Sequence, residues 1–567
     1  MKKKDKVREV ISSGLAVCFY ILFILFAWYV AYQMSLEFYT GENVAMPDNP
    51  KMIPDEVLEP TMHFVVQRIL LITGYAFVFG NWTNLWRKRK DASDPSKKTA
   101  PHGALSARAK AVFWPKRSCL WTIPWWAQVV ILAVFSWTIR MDVIELIGQD
   151  TVQIVDFDRV FRMSLREGSI VAEVQGINFY RAFPNWALYV KLIHCLNVHF
   201  GAVPLTGIMW NAIASTASVV LVYLIVYLAS GKDVLAILSA LLFSINPFYL
   251  YYEILLSPDF TFIFLCLGAL LVFVSAWRFT KSIWIRLPAA LVFGVTLALS
   301  SFFKSVDKVL IIALMIVLIL QWIARGRFTK ERAMKWAAIA AVFIVGYSAT
   351  MSYSYNYIDN YVSGNSNRDV SPYFLNVGLN AEHGGQWSQE VLDVYLGLIR
   401  EYDYDFDIIN EKMKDHLDEV IEAQKLQVAS GENPDLWTDF MEYKLRKAWG
   451  NNEGLRFVMN TINKENPLAG MAFYEEYLPV VQAFTVATGF LMFLGGIGGL
   501  LTRERKTVMV SALMVFGFAL LLLLSEVQPR YKTVVYPFMA VVSAYGIYCI
   551  IQPICQLIKR FYREKSI

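Results

Sequence analysis

Asp150-Thr-Val-Gln-Ile-Val-Asp156-Phe-Asp158-Arg159-Val-Phe-Arg162-Met-Ser-Leu-Arg166-Glu-Gly168 is a polar stretch, acidic at its start and basic at its end, wedged between very hydrophobic runs. Its placement relative to a membrane decides how the rest of the chain folds and which side of the bilayer any chemistry faces. The surrounding composition says that there is a membrane. Of 567 residues 56% are hydrophobic and only 18% charged, with 38 Phe, 29 Tyr and 17 Trp, a balance too apolar for an ordinary soluble domain.

Apolar runs long enough to cross the hydrocarbon core can be drawn about twelve times. They fall near 10–34, 64–86, 119–139, 207–229, 234–247, 259–277, 287–303, 308–324, 336–352, 480–501, 507–525 and 533–554. The fold class expected is an all-α polytopic membrane protein. The first run follows Met1-Lys-Lys-Lys, is too long for the apolar region of a secretory signal and has no small-x-small cleavage site, so it reads as an uncleaved first helix.

Charge fixes the orientation. With the N-terminus in the cytoplasm, the inside segments are 1–9, 87–118, 230–233, 278–286, 325–335, 502–506 and 556–567. Together they hold 31 Lys and Arg against 8 Asp and Glu, whereas the remainder holds 22 basic and 39 acidic residues. Basic residues are retained on the cytoplasmic side, and only 230–233, where Lys232 and Asp233 balance, fails to show the excess. The sequence therefore predicts a multi-pass protein of the cell membrane with both termini inside. The net charge of +6 lies in these helix-end clusters, which argues against a nucleic-acid partner. The six cysteines, Cys18, Cys119, Cys195, Cys266, Cys549 and Cys555, form no C-x-x-C pair and read as small core residues rather than a zinc site or a disulfide framework.

Two polar segments interrupt the hairpin rhythm, and both come out extracytoplasmic. The first, about 140–206, holds the opening stretch and then Phe183–His199, an apolar face backed by Lys191, His194 and His199, as expected of a helix lying in the interface. Counting it as a span would invert every later loop. The second, about 353–479, is too long for a connector and should be a mainly helical domain, with helical pieces near 389–401, 406–428 and 436–449. The chain thus divides into 1–118, two spans and a basic loop; 119–352, a core with its first outer loop at 140–206; 353–479, the outer domain; and 480–567, the last spans and a basic tail.

In the opening stretch a carboxylate, Asp156 or Asp158, can act as general base on a hydroxyl. The arginines that follow, Arg159 first, can hold a phosphate by charge-assisted hydrogen bonds. The alternative is a solvated amphipathic helix whose acids and bases pair locally. Other turns on the same side carry ionisable groups too: Glu253 and Asp259, Lys304 and Asp307, and Glu526, Arg530 and Lys532. Such groups at membrane depth are costly without a partner or ligand, so their convergence points to a polar cavity. The alternative for the lysines is a snorkelling anchor. In the outer domain Asn380, His383, Gln386 and Trp387, beside Gly384 and Gly385, suit binding of a sugar by hydrogen bonds and a stacking ring, or else form a glycine turn with a packed Trp.

The order of these features, ending in Glu526-x-Gln528-x-Arg530-Tyr531 followed by Pro537, resembles the GT-C superfamily of integral membrane glycosyltransferases, in the branch of protein mannosyltransferases and lipid A aminoarabinose transferases. It covers roughly 119–554. Ser371–Ser388 and Tyr443–Trp449 are similar to blocks of Gram-positive members. The resemblance implies inverting transfer of a sugar from a polyprenyl-phosphate donor at the bilayer to an extracytoplasmic glycan or polymer acceptor. By position Asp156 matches the loop aspartate that serves as base, Arg530 with Tyr531 the late Arg-Tyr motif on the donor phosphate, Lys304 an outer lysine, and Asp259 an acid at the start of a span. Asp-Phe-Asp stands where relatives show Asp-Glu or Asp-Gln, which leaves the choice between Asp156 and Asp158 open. No motif specifies a cofactor; an Asp-x-Asp pair can ligate a divalent cation. A transporter or flippase for a lipid-linked sugar or wall polymer has the same span number, but the two halves of this chain are not similar, which weakens inverted repeats. A non-catalytic glycan-binding relative is a third reading.

Overall fold

The computed structural model describes residues 2–40, 123–148, 151–325 except 167, 169 and 172, 329–450, 455, 458, 459, 467–501 and 505–564. In chain order its α-helices are α1 (Lys2–Thr40), α2 (Trp125–Val143), α3 (Val155–Ser164), α4 (Phe179–Ala182), α5 (Ala187–Phe200), α6 (Pro204–Ser230), α7 (Asp233–Ser244), α8 (Pro247–Tyr252), α9 (Asp259–Phe279), α10 (Ile283–Ser301), α11 (Asp307–Arg325), α12 (Lys330–Tyr361), α13 (Ser371–Gly378), α14 (Gln389–Glu401), α15 (Phe406–Ala429), α16 (Leu436–Trp449), α17 (Pro467–Leu501), α18 (Arg505–Leu524) and α19 (Tyr536–Glu564). A two-residue antiparallel hairpin pairs Glu173–Val174 with Ile177–Asn178.

Eleven of the twelve expected spans coincide with helices, and the run at 64–86 lies outside the described residues. Among the described residues eight helices are long and apolar enough to cross a membrane; α7 and the apolar part of α18 are shorter. α2 carries Arg140 and Asp142 in its final turns, which lowers its apolar content. α17 runs for 35 residues, about 50 Å at roughly 1.5 Å per residue. It begins at Pro467, so the expected boundary at 479 falls inside a continuous helix: Pro467 sits in its first turn, where a missing N–H is harmless, and Pro479 is tolerated inside it.

Helix contacts depend on small residues that let backbones approach. A Cβ on Gly495 of α17 would lie 2.1 Å from the Val542 carbonyl oxygen of α19, and one on Gly546 would lie 2.4 Å from the Leu491 carbonyl oxygen. On the other side of the same glycine-rich stretch, Gly496 and Gly499 receive Phe23 and Tyr20 of α1, both fully buried. α1 packs into the bundle against α17 and α11.

The two polar segments meet at one end of the bundle, the loop end. Ile177 and Ala182 of the first share a core with Tyr373, Val377, Val391, Tyr395, Ile399 and Met413 of the second. The Asn178 amide donates to the Val362 carbonyl at 2.9 Å, and the Tyr395 hydroxyl to the Ala182 carbonyl at 3.3 Å. Among the described residues the second segment contains the three expected helices and, before them, α13. The Ser388 and Asp405 side chains cap α14 and α15. α5 buries Tyr189, Val190 and Ile193 and leaves Val198 and Phe200 exposed, the two-faced pattern of a helix in the interface.

Candidate active site

Loop residues far apart in the chain converge at the loop end in three groups. The first is the start of α3. Val155 opens this helix at φ 47°, a strained angle for a β-branched residue, and the turn that follows presents Asp156. The loop before it is held by Gln153, fully enclosed, whose amide donates to the Ile254 carbonyl and accepts from the Leu256 amide, both at 2.9 Å. That pair of bonds fixes α3 against the 253–258 loop leading into α9.

The second group joins two loops, the 253–258 loop that ends at Asp259 and the loop between α10 and α11 that carries Lys304. Asp259 is buried in the first turn of α9, where the helix dipole favours a carboxylate. The Lys304 ammonium lies 3.2 Å from its Oδ1 and 4.4 Å from the centre of the Tyr531 ring. The Tyr252 hydroxyl approaches the other carboxylate oxygen at 3.5 Å.

The third is the loop 526–535, whose Pro529 starts a 3-10 turn, Pro529–Val535. Glu526 is buried there and accepts from the Tyr531 hydroxyl at 3.0 Å and from the Gln528 amide. Burial pushes its carboxyl above the usual range, against the opposing pull of Arg530, the two hydrogen bonds and Lys304. The Arg530 guanidinium stands 5.5 Å from the centre of the Phe157 ring, beside Asp156, and within electrostatic reach of Asp156, Glu526 and Tyr252.

Asp156 and Asp158 are two positions apart on a helix, about 200° around it, so they cannot face the same way. Asp156 is paired with Arg159 at 3.0 Å, and its charge reaches Arg530, Tyr531 and Tyr373. Arg159 also packs over the Phe179 ring at 4.2 Å. Asp158 pairs instead with Arg162 at 2.9 Å, a side chain 72% exposed. Among the described residues no three His, Cys, Asp or Glu side chains gather as cation ligands would.

The 380–387 block lies beside the 526–535 loop, since the Val527 amide donates to the Gly385 carbonyl at 2.9 Å. Its polar atoms are largely engaged within the fold. Asn380 Oδ1 accepts from the Glu382 amide, Gln386 donates to the Tyr443 hydroxyl at 2.6 Å, and His383 pairs with Glu390 at 3.0 Å; the Trp387 ring, 53% exposed, is presented outward. Gly384 and Gly385, at φ 62° and 66°, make the turn that a side chain would strain.

Two residues that sequence reasoning passed over support this end. Arg140, fully buried in α2, binds Glu253 at 3.0 Å, so Glu253 is held away from the convergence. Burial pushes the Glu253 carboxyl up to about 7, against the pull of Arg140. Lys444 of α16, also fully buried, donates to the carbonyls of Gly378, Leu523 at 2.8 Å and Ser525 at 2.9 Å. It thereby joins the second polar segment to the C-terminus of α18, one residue before Glu526.

No family model and no curated protein matches the chain. Among solved structures it is similar to the oligosaccharyltransferase of Archaeoglobus fulgidus, in a crystal structure with zinc and sulfate, at 15% identity and a TM-score of 0.41, over 74% of this chain and 49% of that one. The same archaeal protein, AglB, in complex with an inhibitory peptide and a dolichol-phosphate, matches at 12% identity and a TM-score of 0.38, over 78% and 52%. ArnT from Cupriavidus metallidurans bound to undecaprenyl phosphate matches at 11% identity and a TM-score of 0.32, over 75% and 77%. The match spans about half the length of the archaeal protein. At these identities no residue's role passes from those proteins to this chain.

Proposed function

We propose that this protein is a membrane glycosyltransferase of the GT-C type, moving a sugar from a polyprenyl-phosphate donor to an acceptor hydroxyl on the extracytoplasmic side. The observation that carries the reading is that Arg530 stands 5.5 Å from the ring of Phe157, next in sequence to Asp156 and within electrostatic reach of its carboxylate, on a loop hundreds of residues away and in a setting that also holds Lys304, Asp259 and Glu526. A carboxylate and a guanidinium brought together at the edge of an apolar bundle match the needs of base and phosphate clamp in one displacement. The excess of basic residues in the loops at the opposite end supports placing the loop end outside the cell.

In the proposed reaction the acceptor oxygen attacks the anomeric carbon of the donor as Asp156 Oδ takes its proton. The bond from that carbon to the phosphate oxygen breaks on the opposite face, so the configuration inverts, and polyprenyl phosphate leaves with the electron pair. Arg530 and Lys304 bind its oxygens as negative charge collects there, with Arg159 orienting Asp156 or reaching the phosphate. Tyr531 and Asp259 hold Lys304 in place, and Glu526 with Tyr531 fixes the loop that carries Arg530. Trp387 offers a ring on which an acceptor sugar can stack, at the rim where Asn380, His383 and Gln386 shape the turn. The acceptor class we favour is a cell-wall polymer or surface glycan. Analysis of surface glycans in cells lacking the protein tests this: one missing substituent supports it, and an unchanged glycan profile contradicts it.

A further inference from the structure

A cavity that opens toward Arg278 at the opposite end of the bundle, and reaches inward as far as Pro537 and Phe538 at the start of α19, is a feature that the transfer reading does not use. It measures about 280 Å³ and lies between α6, α9, α11, α18 and α19. Its walls are apolar, Leu270, Val274 and Phe538 among them, apart from Arg278, Gln321 and Ser511. Arg278 is in the last turn of α9, whose first turn holds Asp259. At roughly 1.5 Å of rise per residue the two lie about 28 Å apart along one helix, nearly the thickness of a hydrocarbon core.

The surroundings of Arg278 are those of a membrane–water boundary. Trp277, which lines the cavity, packs on Trp336 at 4.8 Å and receives the Arg286 guanidinium at 4.7 Å, while Trp284 and Trp322 are exposed. Indole rings favour that depth. The basic residues at this end include Arg286, Arg325 and Lys335 as well as Arg278, and the acidic ones nearby are Asp233 and Glu331, the latter paired with Lys335.

We infer that this cavity binds one acyl chain of an anionic phospholipid from the leaflet at this end, with the lipid phosphodiester on Arg278. An apolar chamber with one cation among its lining residues, set at the level of the tryptophans, complements a molecule with one long chain and one negative head. A donor lipid whose phosphate meets Arg530 has its charged group at the other end of the bundle, so the same phosphate cannot also meet Arg278. The headgroup site at Arg278 is therefore separate from that of the donor phosphate, a step that rests on the transfer reading.

The test uses the purified full-length protein, delipidated in detergent and titrated with phosphatidylglycerol or phosphatidylcholine, with binding followed by native mass spectrometry and melting temperature. The wild type is expected to bind phosphatidylglycerol about tenfold or more tightly than phosphatidylcholine. Arg278→Gln should remove the preference, and Arg278→Lys should restore much of it. Leu270→Trp, or Val274→Trp if the first variant fails to fold, should abolish binding of both lipids by filling the cavity. Equal affinity of the wild type for the two lipids, or a preference that survives Arg278→Gln, overturns the inference. So does one-for-one displacement of phosphatidylglycerol by a polyprenyl phosphate, which would assign the cavity to the donor's tail.

Discussion

Replacing Lys444 by Met removes the ammonium that joins α16 to the ends of α13 and α18 while keeping the length of the side chain. Three carbonyls, those of Gly378, Leu523 and Ser525, then lose their donor in a buried site. Leaving a buried carbonyl unsatisfied costs about 1–3 kcal/mol, so three at the lower bound weaken the docking of the second polar segment on the 526–535 loop by about 3 kcal/mol. The lysine itself is costly to bury, since burial pushes its ammonium down to about 7, but methionine recovers that cost without supplying a donor. The Val527 amide, which donates to the Gly385 carbonyl across this junction, is the reporter. A loss of about 3 kcal/mol makes exchange of that amide with solvent deuterium about a hundredfold faster where local opening controls it. Mass spectrometry of peptides spanning 520–530 reads this directly, and transfer activity should fall with it because Glu526 and Arg530 are on the loosened loop. Unchanged exchange at Val527 in Lys444→Met would refute the reasoning.

Three further outcomes follow from the same end of the bundle. Glu253 has its carboxyl raised from 4.5 to about 7, so the folded state binds a proton that the unfolded chain has lost; this stabilisation is complete below about pH 4.5 and fades as pH rises through 7. The span corresponds to about 3 kcal/mol. Glu253→Gln should flatten the fall in melting temperature between pH 5 and 8, whereas Arg140→Met, which leaves a buried acid without its partner, should cost about 3–5 kcal/mol at neutral pH. Arg530→Lys retains the charge but loses the planar fork, and should lower kcat/KM for transfer by roughly 10- to 100-fold with little change in melting temperature.

The bundle was legible because membrane spans announce themselves by length and composition, and the helical pieces of the second polar segment by their spacing of apolar residues. Val391, Tyr395, Leu396 and Ile399 line one face of α14 in the sequence and in the fold alike. The start of α17 was not, because Pro467, Glu475, Glu476 and Pro479 read as loop when only local chemistry is weighed. The convergence of outer ionisable residues could be anticipated from their depth, and it separates Asp156 from Asp158 only when the turn of α3 is seen. Glu253 looked like a member of that set until Arg140, 113 residues earlier, proved to hold it. Gln153 and Lys444 act on backbone groups, which no side-chain pattern betrays. Asn380 and Gln386 have the right chemistry for a sugar, but the turn they belong to uses the same atoms.

The central claim is that Asp156, within electrostatic reach of Arg530, is the base, while Asp158 is turned away and pairs with the exposed Arg162. The measurement is sugar transfer in membrane vesicles supplied with polyprenyl-phosphate-linked sugars, comparing Asp156→Asn and Asp158→Asn at equal amounts of folded protein. Loss of a general base lowers turnover by about 10²- to 10⁴-fold, and loss of an exposed ion pair changes it less than about fivefold. Near-normal transfer by Asp156→Asn, or an equal loss in Asp158→Asn, would contradict the assignment.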